Sequence, residues 1–232
     1  MQNIYDARVK RLHALASCSL FYGVRAAELE DIASKMDTIS VPRGRLIVQH
    51  GDETTDVYFL MSGSVIGQLL ASSGREVVFT EVAVGGYFGE LAALDGGTRS
   101  ITISASADCM MAKLSERAFK EVLLAYPQVS VNLATDMAKI MRQMNDRVYG
   151  LVVHDVETRV RLRLMQLAQE QQQLIKDGII KNMPTHEAIA NFVGSNREAV
   201  SRAIAKLKKR GILASDKKRI VIRDIEQLLF LG

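Results

Sequence analysis

The sequence predicts an α+β protein with three parts: an N-terminal antiparallel β-barrel or jelly roll, a long helix, and a C-terminal winged helix-turn-helix. Short runs rich in Val, Ile, Thr and Phe, separated by glycine-containing turns, occupy residues 38–113, as in antiparallel barrels and sandwiches. A segment with apolar residues every three or four positions occupies residues 127–154, which indicates a helix. The excess positive charge lies in the last third of the chain.

The composition is that of a globular protein of 232 residues, 48% hydrophobic and 24% charged. No apolar run approaches the roughly 18–20 residues that a membrane span needs, and the polar N-terminus lacks the apolar core of a secretory signal. We therefore expect a cytoplasmic protein with no membrane partner. Cys18 and Cys109 have no CxxC partner, so we expect two reduced, mostly buried thiols and no metal site.

The net charge of +4 is unevenly distributed. Residues 1–154 carry 15 Lys and Arg against 17 Asp and Glu, a net charge of −2, whereas residues 155–232 carry 15 against 9, a net charge of +6. A basic module attached to a near-neutral one indicates nucleic-acid binding by the basic part. We expect a sensor domain over 1–126, a long helix with its hinge over 127–154, and a DNA-binding domain over 155–232.

The long segment has a single apolar stripe. A helix of this length often pairs with a second copy of itself, although packing on its own barrel is the alternative. A reader of palindromic DNA also needs a twofold axis, so we expect a homodimer. The hinge is expected near His154 and Asp155, where Asp155 would cap the next helix. The stripe consists of Leu133, Met137, Ile140, Met144, Val148 and Leu151.

Residues 185–210 have the pattern of a helix-turn-helix. Thr185 is an N-cap candidate, Gly194 lies at the turn, where glycine favours a left-handed backbone, and Ser195 or Asn196 begins the second helix. Ala188, Ile189, Phe192 and Val193 are expected to face inward. Two short strands follow as a wing. The second helix carries the side chains that we expect to contact DNA: Asn196, Arg197, Glu198, Ser201, Arg202 and Lys206.

These side chains suit the major groove of double-stranded DNA. Arginine donates two hydrogen bonds to guanine O6 and N7, and glutamate accepts one from cytosine N4. Lys206 and the basic residues 208–210 are placed for phosphates, which add affinity without sequence information. A helical hairpin with a solvated charged face is the alternative, and the basic last third of the chain disfavours it.

A second candidate site lies between residues 87 and 100. Gly89 permits close approach of the backbone, and the amides that follow open a helical turn where an anion can bind. Arg99 offers a planar cation suited to a phosphate, Ser100 adds a hydroxyl, and Glu90 can accept from a sugar hydroxyl. This combination indicates a nucleotide site, with a structural ion pair between Glu90 and Arg99 as the alternative.

Two segments resemble the CRP/FNR superfamily of bacterial regulators, in particular its cyclic-AMP-receptor branch. VGSNREAVSRAIAKLKKRGIL is similar to the helix-turn-helix of the family, and FGELAALDGGTRS is similar to its phosphate-binding cassette. The resemblance covers nearly the whole chain. It implies that Arg202 and Glu198 each read a G·C pair, with Arg197 at a further guanine or a phosphate, in a palindrome of TGTGA-like half-sites. Ser201 and Arg202 together with Glu198 also resemble the set of base-contacting residues of the FNR branch, which leaves a shifted half-site preference open.

The resemblance also implies the contacts of a cyclic nucleotide acting as an allosteric ligand. Glu90 would bind the ribose 2′-hydroxyl. Arg99, Ser100 and the backbone amides of Gly89 and Leu91 would bind the cyclic phosphate. RNA polymerase is an implied further partner.

The chain departs from the family pattern at two places. Ile101 stands where the cassette usually has alanine. Met144 and Asn145 occupy the long-helix positions at which the cyclic-AMP receptor has a Thr-Ser pair that contacts the purine. Met144 donates no hydrogen bond, whereas Asn145 can pair with adenine or guanine. We therefore expect cyclic AMP as the ligand and leave cyclic GMP open.

Three alternatives remain. A constitutive or non-nucleotide-sensing member of the superfamily would explain Met144. A haem- or redox-sensing member is disfavoured, because the four histidines show no paired ligand spacing. An enzyme is disfavoured because the sequence contains no GxSxG, P-loop, HExxH or paired Cys/His pattern.

Overall fold

The computed structural model describes residues 2–70, 76–216 and 219–229. The chain forms two compact units, residues 1–142 and 143–232. The division falls inside the long helix, and the three segments expected from the sequence stay a prediction. Within the described ranges, no helix combines the length and the apolar character needed to cross a membrane.

The first unit contains an antiparallel β-sandwich and four helices before the long one. Two four-stranded sheets have the orders β1-β8-β3-β6 and β2-β7-β4-β5, with antiparallel neighbours throughout. This agrees with the predicted α+β class and its antiparallel N-terminal domain. The strands are β1 (Asp37–Val41), β2 (Leu46–Val48), β3 (Val57–Ser62), β4 (Val65–Leu70), β5 (Glu76–Val82), β6 (Tyr87–Phe88), β7 (Thr102–Ala105) and β8 (Cys109–Leu114). The helices are α1 (Gln2–Ala16), α2 (Ala26–Ser34), α3 (Glu90–Asp95) and α4 (Glu116–Ala125), with a 3-10 turn at Ser19–Phe21.

Strand β3 supplies side chains to two apolar clusters. Successive side chains of a strand point to opposite faces. Phe59 and Met61 pack among residues of the helices, whereas Tyr58 and Leu60 pack among residues of the second sheet. All four are buried, which explains why this strand reads as a continuous apolar run. Both cysteines are also buried free thiols, as predicted, and burial raises the pKa of Cys18 to about 11.

Helix α5 (Pro127–Val153) begins at the predicted proline and ends directly before His154. Its apolar stripe divides into two parts. Leu133 is buried in the helix-facing core of the first unit, and Met137 packs against the same cluster. The remaining stripe residues are 40–59% exposed in the single chain. The early part of the stripe therefore packs on its own unit, and the later part has the exposure that a second copy would require. These exposed residues are Ile140, Met144, Val148 and Leu151.

The second unit is a winged helix-turn-helix, as predicted. Its elements after α5 are α6 (Val156–Glu170), β9 (Ile179–Ile180), α7 (His186–Val193), α8 (Arg197–Lys209), β10 (Leu213–Asp216), β11 (Arg219–Ile222) and α9 (Ile225–Leu229). The sheet order is β10-β11-β9, with antiparallel neighbours. One apolar core joins helices and sheet, with Leu164, Ile204 and Ile222 fully buried. The predicted turn of the wing falls partly on residues 217 and 218, outside the described residues.

Side-chain caps fix where two of these helices begin. Oδ1 of Asp155 accepts a hydrogen bond from the amide of Thr158 at 2.8 Å, which confirms the predicted cap of α6. Of the two candidates for α8, Asn196 rather than Ser195 is the cap, because its Oδ1 accepts from the amide of Ala199 at 2.8 Å. Caps of this kind contribute about 1 kcal/mol each.

Candidate functional site

Gly89 joins β6 to α3 at the centre of the predicted cassette. Its φ of +92° lies in the left-handed region, and a Cβ there would lie 2.6 Å from both the carbonyl oxygen of Asp56 and Nη1 of Arg99. Backbone conformation and space both exclude a side chain, so glycine is required at this turn. The absence of a side chain lets the guanidinium of Arg99 approach the backbone.

Arg99 is only 2% exposed, and its guanidinium is hydrogen-bonded through all three nitrogens. Nε donates to Oγ1 of Thr54 at 2.9 Å, Nη1 to the carbonyl of Gly89 at 3.1 Å, and Nη2 to the carbonyl of Asp56 at 2.8 Å. Burial lowers the pKa of Arg99, with Tyr58 and Asp56 acting in the opposite direction, yet a guanidinium stays charged near neutral pH. Neutral oxygens accept all three bonds, so the positive charge remains able to attract an anion.

Glu90 is the first residue of α3 and is partly buried beside Arg99. Burial raises the pKa of its carboxyl, while the amides of Glu90 and Gly89 and the charge of Arg99 act to lower it. The three hydrogen bonds of Arg99 go to other acceptors, so the two side chains share a site without the ion pair considered as an alternative. Leu91 and Ser100 are exposed.

The departure at Ile101 is accommodated by a glycine on β4. A Cβ at Gly67 would lie 2.6 Å from Cδ1 of Ile101 and 2.6 Å from Cγ2 of Thr80. The larger side chain of Ile101 therefore fills space that Gly67 leaves open, and it packs against the core between the sheets.

A hydrogen bond that no sequence pattern indicates joins the cassette strand to α5. The hydroxyl of Tyr87 donates to Oδ2 of Asp136 at 3.2 Å, and Oδ2 also accepts from Oγ of Ser19 at 2.6 Å. Burial acts to raise the pKa of Asp136, but bonds from Ser19, Lys139 and Tyr87 outweigh it, so the pKa is lowered. Tyr87 and Asp136 are 49 residues apart, and no local motif links them.

Helix α8 presents one exposed face opposite a buried one. Its buried residues anchor it in the core of the second unit, and the exposed face repeats at intervals of four, three and four residues, which is one side of a helix. The buried residues are Val200, Ala203, Ile204 and Leu207. The exposed face consists of Glu198, Arg202, Ala205 and Lys209.

The turn before α8 is formed as the sequence predicts. Gly194 has a φ of +64°, in the left-handed region, and Oγ1 of Thr185 caps α7 by accepting from the amide of Ala188 at 3.1 Å. One detail of the predicted inward face is wrong: Ala188 is exposed, and Ala190 is buried in its place. Ile189 and Val193 are buried as predicted.

The six predicted DNA contacts fall into two groups. Three are engaged within the chain: Asn196 caps α8, Oγ of Ser201 lies 2.7 Å from Nδ1 of His186, and Nζ of Lys206 lies 2.6 Å from Oε2 of Glu157. The other three are exposed, and they form no hydrogen bond or ion pair with another described residue. They are Arg197, Glu198 and Arg202.

Several arginines of the basic third serve the fold instead of facing solvent. Nε of Arg159 donates to the carbonyl of Val193 at 2.8 Å, and the guanidinium of Arg163 lies 4.0 Å from the ring centroid of Phe192. Arg161 is 8% exposed. The net charge of +6 therefore overstates the positive charge that this unit offers to DNA.

The purine-contact positions inferred from the resemblance, Met144 and Asn145, lie on the exposed part of α5. Both side chains face solvent in the single chain. Of the predicted ligand residues, the described first unit thus brings Gly89, Glu90 and Arg99 together.

Comparisons with known proteins match one domain family to each of the two parts of the chain. Residues 38–126 match the cyclic nucleotide-binding domain family, and residues 158–231 match the Crp-like helix-turn-helix domain family. The CRP-like cAMP-activated global transcriptional regulator of Mycobacterium tuberculosis is 28% identical over 215 residues, covering 92% of this chain and 96% of the relative.

Solved structures show the same fold. The Catabolite Activator Protein of Thermus thermophilus is 25% identical with a TM-score of 0.56, covering 90% of this chain and 96% of that chain. The c-di-GMP responsive global regulator CLP of Xanthomonas campestris is 20% identical with a TM-score of 0.72, covering 86% and 100%. With a cyclic nucleotide-binding domain followed by a Crp-like helix-turn-helix, this chain belongs to the CRP/FNR superfamily, whose members are DNA-binding transcription regulators and not enzymes.

Proposed function

We propose that this chain acts in the cytoplasm as a homodimer whose affinity for a palindromic, TGTGA-like operator is controlled by a cyclic nucleotide. Cyclic AMP is the proposed ligand, with cyclic GMP as the alternative. The observation that carries the proposal is a charged, buried Arg99 in the cassette of a chain whose recognition helix leaves Arg197, Glu198 and Arg202 exposed. The cAMP-activated relative in Mycobacterium tuberculosis supports the choice of ligand.

The chemistry of Arg99 favours a phosphate. A guanidinium has five N–H hydrogens, and three hydrogen bonds hold it to Thr54, Gly89 and Asp56. Two N–H hydrogens and the full charge are left for the ligand. In this proposal Ser100 and the amides of Gly89 and Leu91 complete the phosphate contacts.

The remaining ligand contacts are assigned to the sugar and the base. Glu90 accepts from the ribose 2′-hydroxyl, and Asn145 pairs with the purine. A carboxamide both donates and accepts, so Asn145 suits adenine and does not reject guanine. The choice between the two nucleotides therefore has to come from titration of both.

The proposed dimer forms through the exposed part of α5, where Ile140, Met144, Val148 and Leu151 are uncovered in the single chain. A twofold axis would set the two α8 helices about 34–36 Å apart, one turn of DNA. The ligand shifts the arrangement only by its differential affinity for the two states. The bond from Tyr87 to Asp136 gives the cassette strand a direct contact with α5. Polymerase contact by the DNA-bound dimer is the proposed output.

The test is a set of anisotropy titrations with a palindromic TGTGA duplex and a scrambled duplex of equal length and composition. Each is measured at one salt concentration with no ligand, with cyclic AMP and with cyclic GMP. We expect cyclic AMP to tighten binding to the palindrome about 5- to 150-fold, the usual range of allosteric coupling, with little effect on the scrambled duplex. Activation by cyclic GMP alone would reassign the ligand, and equal affinity for both duplexes would refute the function.

A second candidate is a regulator of the same superfamily that senses no cyclic nucleotide. Met144 favours it, because a thioether offers the purine no hydrogen-bond donor. The c-di-GMP responsive relative has the same fold and is named for a different signal. Unfolding the purified protein and measuring the ultraviolet absorbance of the protein-free supernatant reveals any co-purified nucleotide, and tight palindrome binding unaffected by either nucleotide would favour this candidate.

A further inference from the structure

Glu157 contacts the C-terminal part of the recognition helix from the first turn of α6. Its Oε2 lies 2.6 Å from Nζ of Lys206, and its Oε1 lies 3.4 Å from Nη1 of Arg210. The side chain of Glu157 is only 20% exposed, whereas those of Lys206 and Arg210 are 63% and 47% exposed. One mostly buried carboxylate therefore uses both oxygens to hold two cations that otherwise face solvent.

The position of this carboxylate is fixed by the fold. The cap from Asp155 to the amide of Thr158 sets the first turn of α6, and Val160 and Leu164 bury the inner face of the helix. An acidic residue in a first helical turn is also stabilised by the positive end of the helix dipole. Because Glu157 is held in place, its contacts with Lys206 and Arg210 differ from an ion pair between two mobile surface side chains, which usually contributes little to stability.

We propose that Glu157 is an internal counter-ion of the recognition helix and sets the sequence-independent part of the affinity for DNA. The inference rests on the proposed DNA binding by α8. A DNA phosphate that binds Lys206 or Arg210 has to displace the carboxylate of Glu157 from that side chain. The carboxylate also repels the phosphates that approach it, since like charges a few ångströms apart interact unfavourably.

Glu157 is not bonded to the side chains that are proposed to contact bases. Glu198 and Arg202 lie on the exposed face of α8 and form no hydrogen bond or ion pair with another described residue. Phosphate contacts carry affinity and base contacts carry specificity. Loss of the Glu157 charge should therefore strengthen binding to every sequence by a similar factor, while the preference for the operator stays unchanged.

The experiment compares full-length wild type with Glu157→Gln on the palindromic and scrambled duplexes, over a series of salt concentrations and with cyclic AMP present. We expect both duplexes to bind about 3- to 30-fold more tightly at low salt, with the ratio of the two affinities changed less than about twofold. The slope of log K against log salt should become steeper by about 0.9 for each additional phosphate that the variant neutralises. Glu157→Ala, which removes the acceptor oxygens as well, should change the affinity in the same direction.

Asp177→Asn is the matched control. It makes the same change of one unit of charge in the same unit of the protein, in an exposed pair with Arg223, whose Nη1 lies 2.6 Å from Oδ1 of Asp177. Neither residue belongs to α8. We expect this variant to bind both duplexes within about twofold of wild type. A change in the net charge of the unit is screened by salt, so it should affect DNA affinity less than a change of charge directly beside Lys206 and Arg210.

Three results would overturn the inference: unchanged affinity of Glu157→Gln, an equal increase in affinity for Asp177→Asn, or weaker binding by Glu157→Gln, which would make Glu157 a positioning residue. Thermal unfolding of each variant verifies that the folded fraction is the same. If the wild type fails to prefer the palindrome, the proposed operator function is refuted. The scrambled duplex alone still decides whether Glu157 restrains phosphate binding.

Discussion

The arginines of the two candidate sites differ in burial and in hydrogen bonding. Arg99 in the cassette is 2% exposed and is hydrogen-bonded to Thr54, Asp56 and Gly89, up to 45 residues away in sequence. Arg197 and Arg202 on α8 are exposed and form no hydrogen bond or ion pair with another described residue. The cassette arginine is therefore part of the fold as well as a ligand candidate, whereas the α8 arginines are free to serve recognition alone.

The largest expected effect comes from removing an exposed arginine of α8. Arg202→Ala should reduce the preference for the palindrome over the scrambled duplex by at least about 30-fold, because each of two protomers loses about 1–3 kcal/mol of base discrimination. Weak, salt-sensitive binding to both duplexes should remain. The thermal midpoint should stay within about 2 °C of wild type, since an exposed side chain contributes little to stability.

Arg117→Ala is a matched control, because Arg117 is an exposed arginine paired with Glu121 on α4. It should leave both duplex affinities unchanged. Specific binding that survives Arg202→Ala would show that the face of α8 has been assigned wrongly. A large loss of stability in Arg202→Ala would remove the contrast between the two arginine classes.

The second-largest expected effect comes from removing the buried arginine, Arg99. Arg99→Ala should weaken cyclic-nucleotide binding about 10- to 100-fold and also lower the free energy of unfolding by about 2–4 kcal/mol, because it leaves buried acceptors without donors. Calorimetric titration and urea unfolding measure the two effects separately. From the sequence alone, this substitution is expected to leave the fold intact, and the burial of Arg99 changes that expectation.

Ser100→Ala provides the contrasting variant, since Ser100 is exposed beside Arg99. This variant should weaken cyclic-nucleotide binding without lowering the free energy of unfolding. Unchanged nucleotide affinity in Arg99→Ala would take Arg99 out of the ligand site. Unchanged stability would mean that its three hydrogen bonds are structurally dispensable.

The smallest expected effect depends on pH and concerns Asp136. Its folded-state pKa is lowered, so ionised Asp136 favours folding at pH values above the unfolded pKa of about 3.9, and this contribution disappears as the pH falls through the folded pKa. Asp136→Asn should therefore be less stable than wild type by about 1 kcal/mol at pH 6. The difference should begin to shrink as the pH falls below about 4 and disappear only below the lowered folded pKa of Asp136. Urea unfolding across this range measures it.

Asp146→Asn on the same helix is the control, because Asp146 is exposed, and it should follow the wild-type curve. A stability difference between Asp136→Asn and wild type that is the same at pH 3 and pH 6 would contradict the assignment to ionisation. Nucleotide affinity measured on Asp136→Asn also tests whether the contact with Tyr87 matters to the cassette.

Local features of the molecule were predictable from the sequence. The start of α5 at Pro127, the cap at Asp155 and the left-handed turn at Gly194 depend on residues within one helical turn of each other. Backbone preferences and capping act at that range. The chemistry of Glu90 and Arg99 was also readable, because both residues lie in one short segment.

What could not be predicted depends on contacts between distant parts of the chain. Glu157 and Lys206 are 49 residues apart, as are Tyr87 and Asp136. No periodicity or motif indicates which distant side chains meet, because packing of whole elements decides it. The same limit hid the inward use of Arg159, which made the basic third look more available to DNA than it is.

The divided stripe of α5 has a consequence for how the cell would set the output of this regulator. Val148 and Leu151 of this stripe are 59% and 44% exposed in the single chain. A second copy that covers them would stabilise the folded protein by an amount that grows with the logarithm of the protomer concentration. Below the dissociation constant of such a dimer, the amount of DNA-binding species rises with the square of the protomer concentration. While the operator is far from saturated, a twofold change in synthesis would then change operator occupancy about fourfold, which makes the expression level an input alongside the ligand.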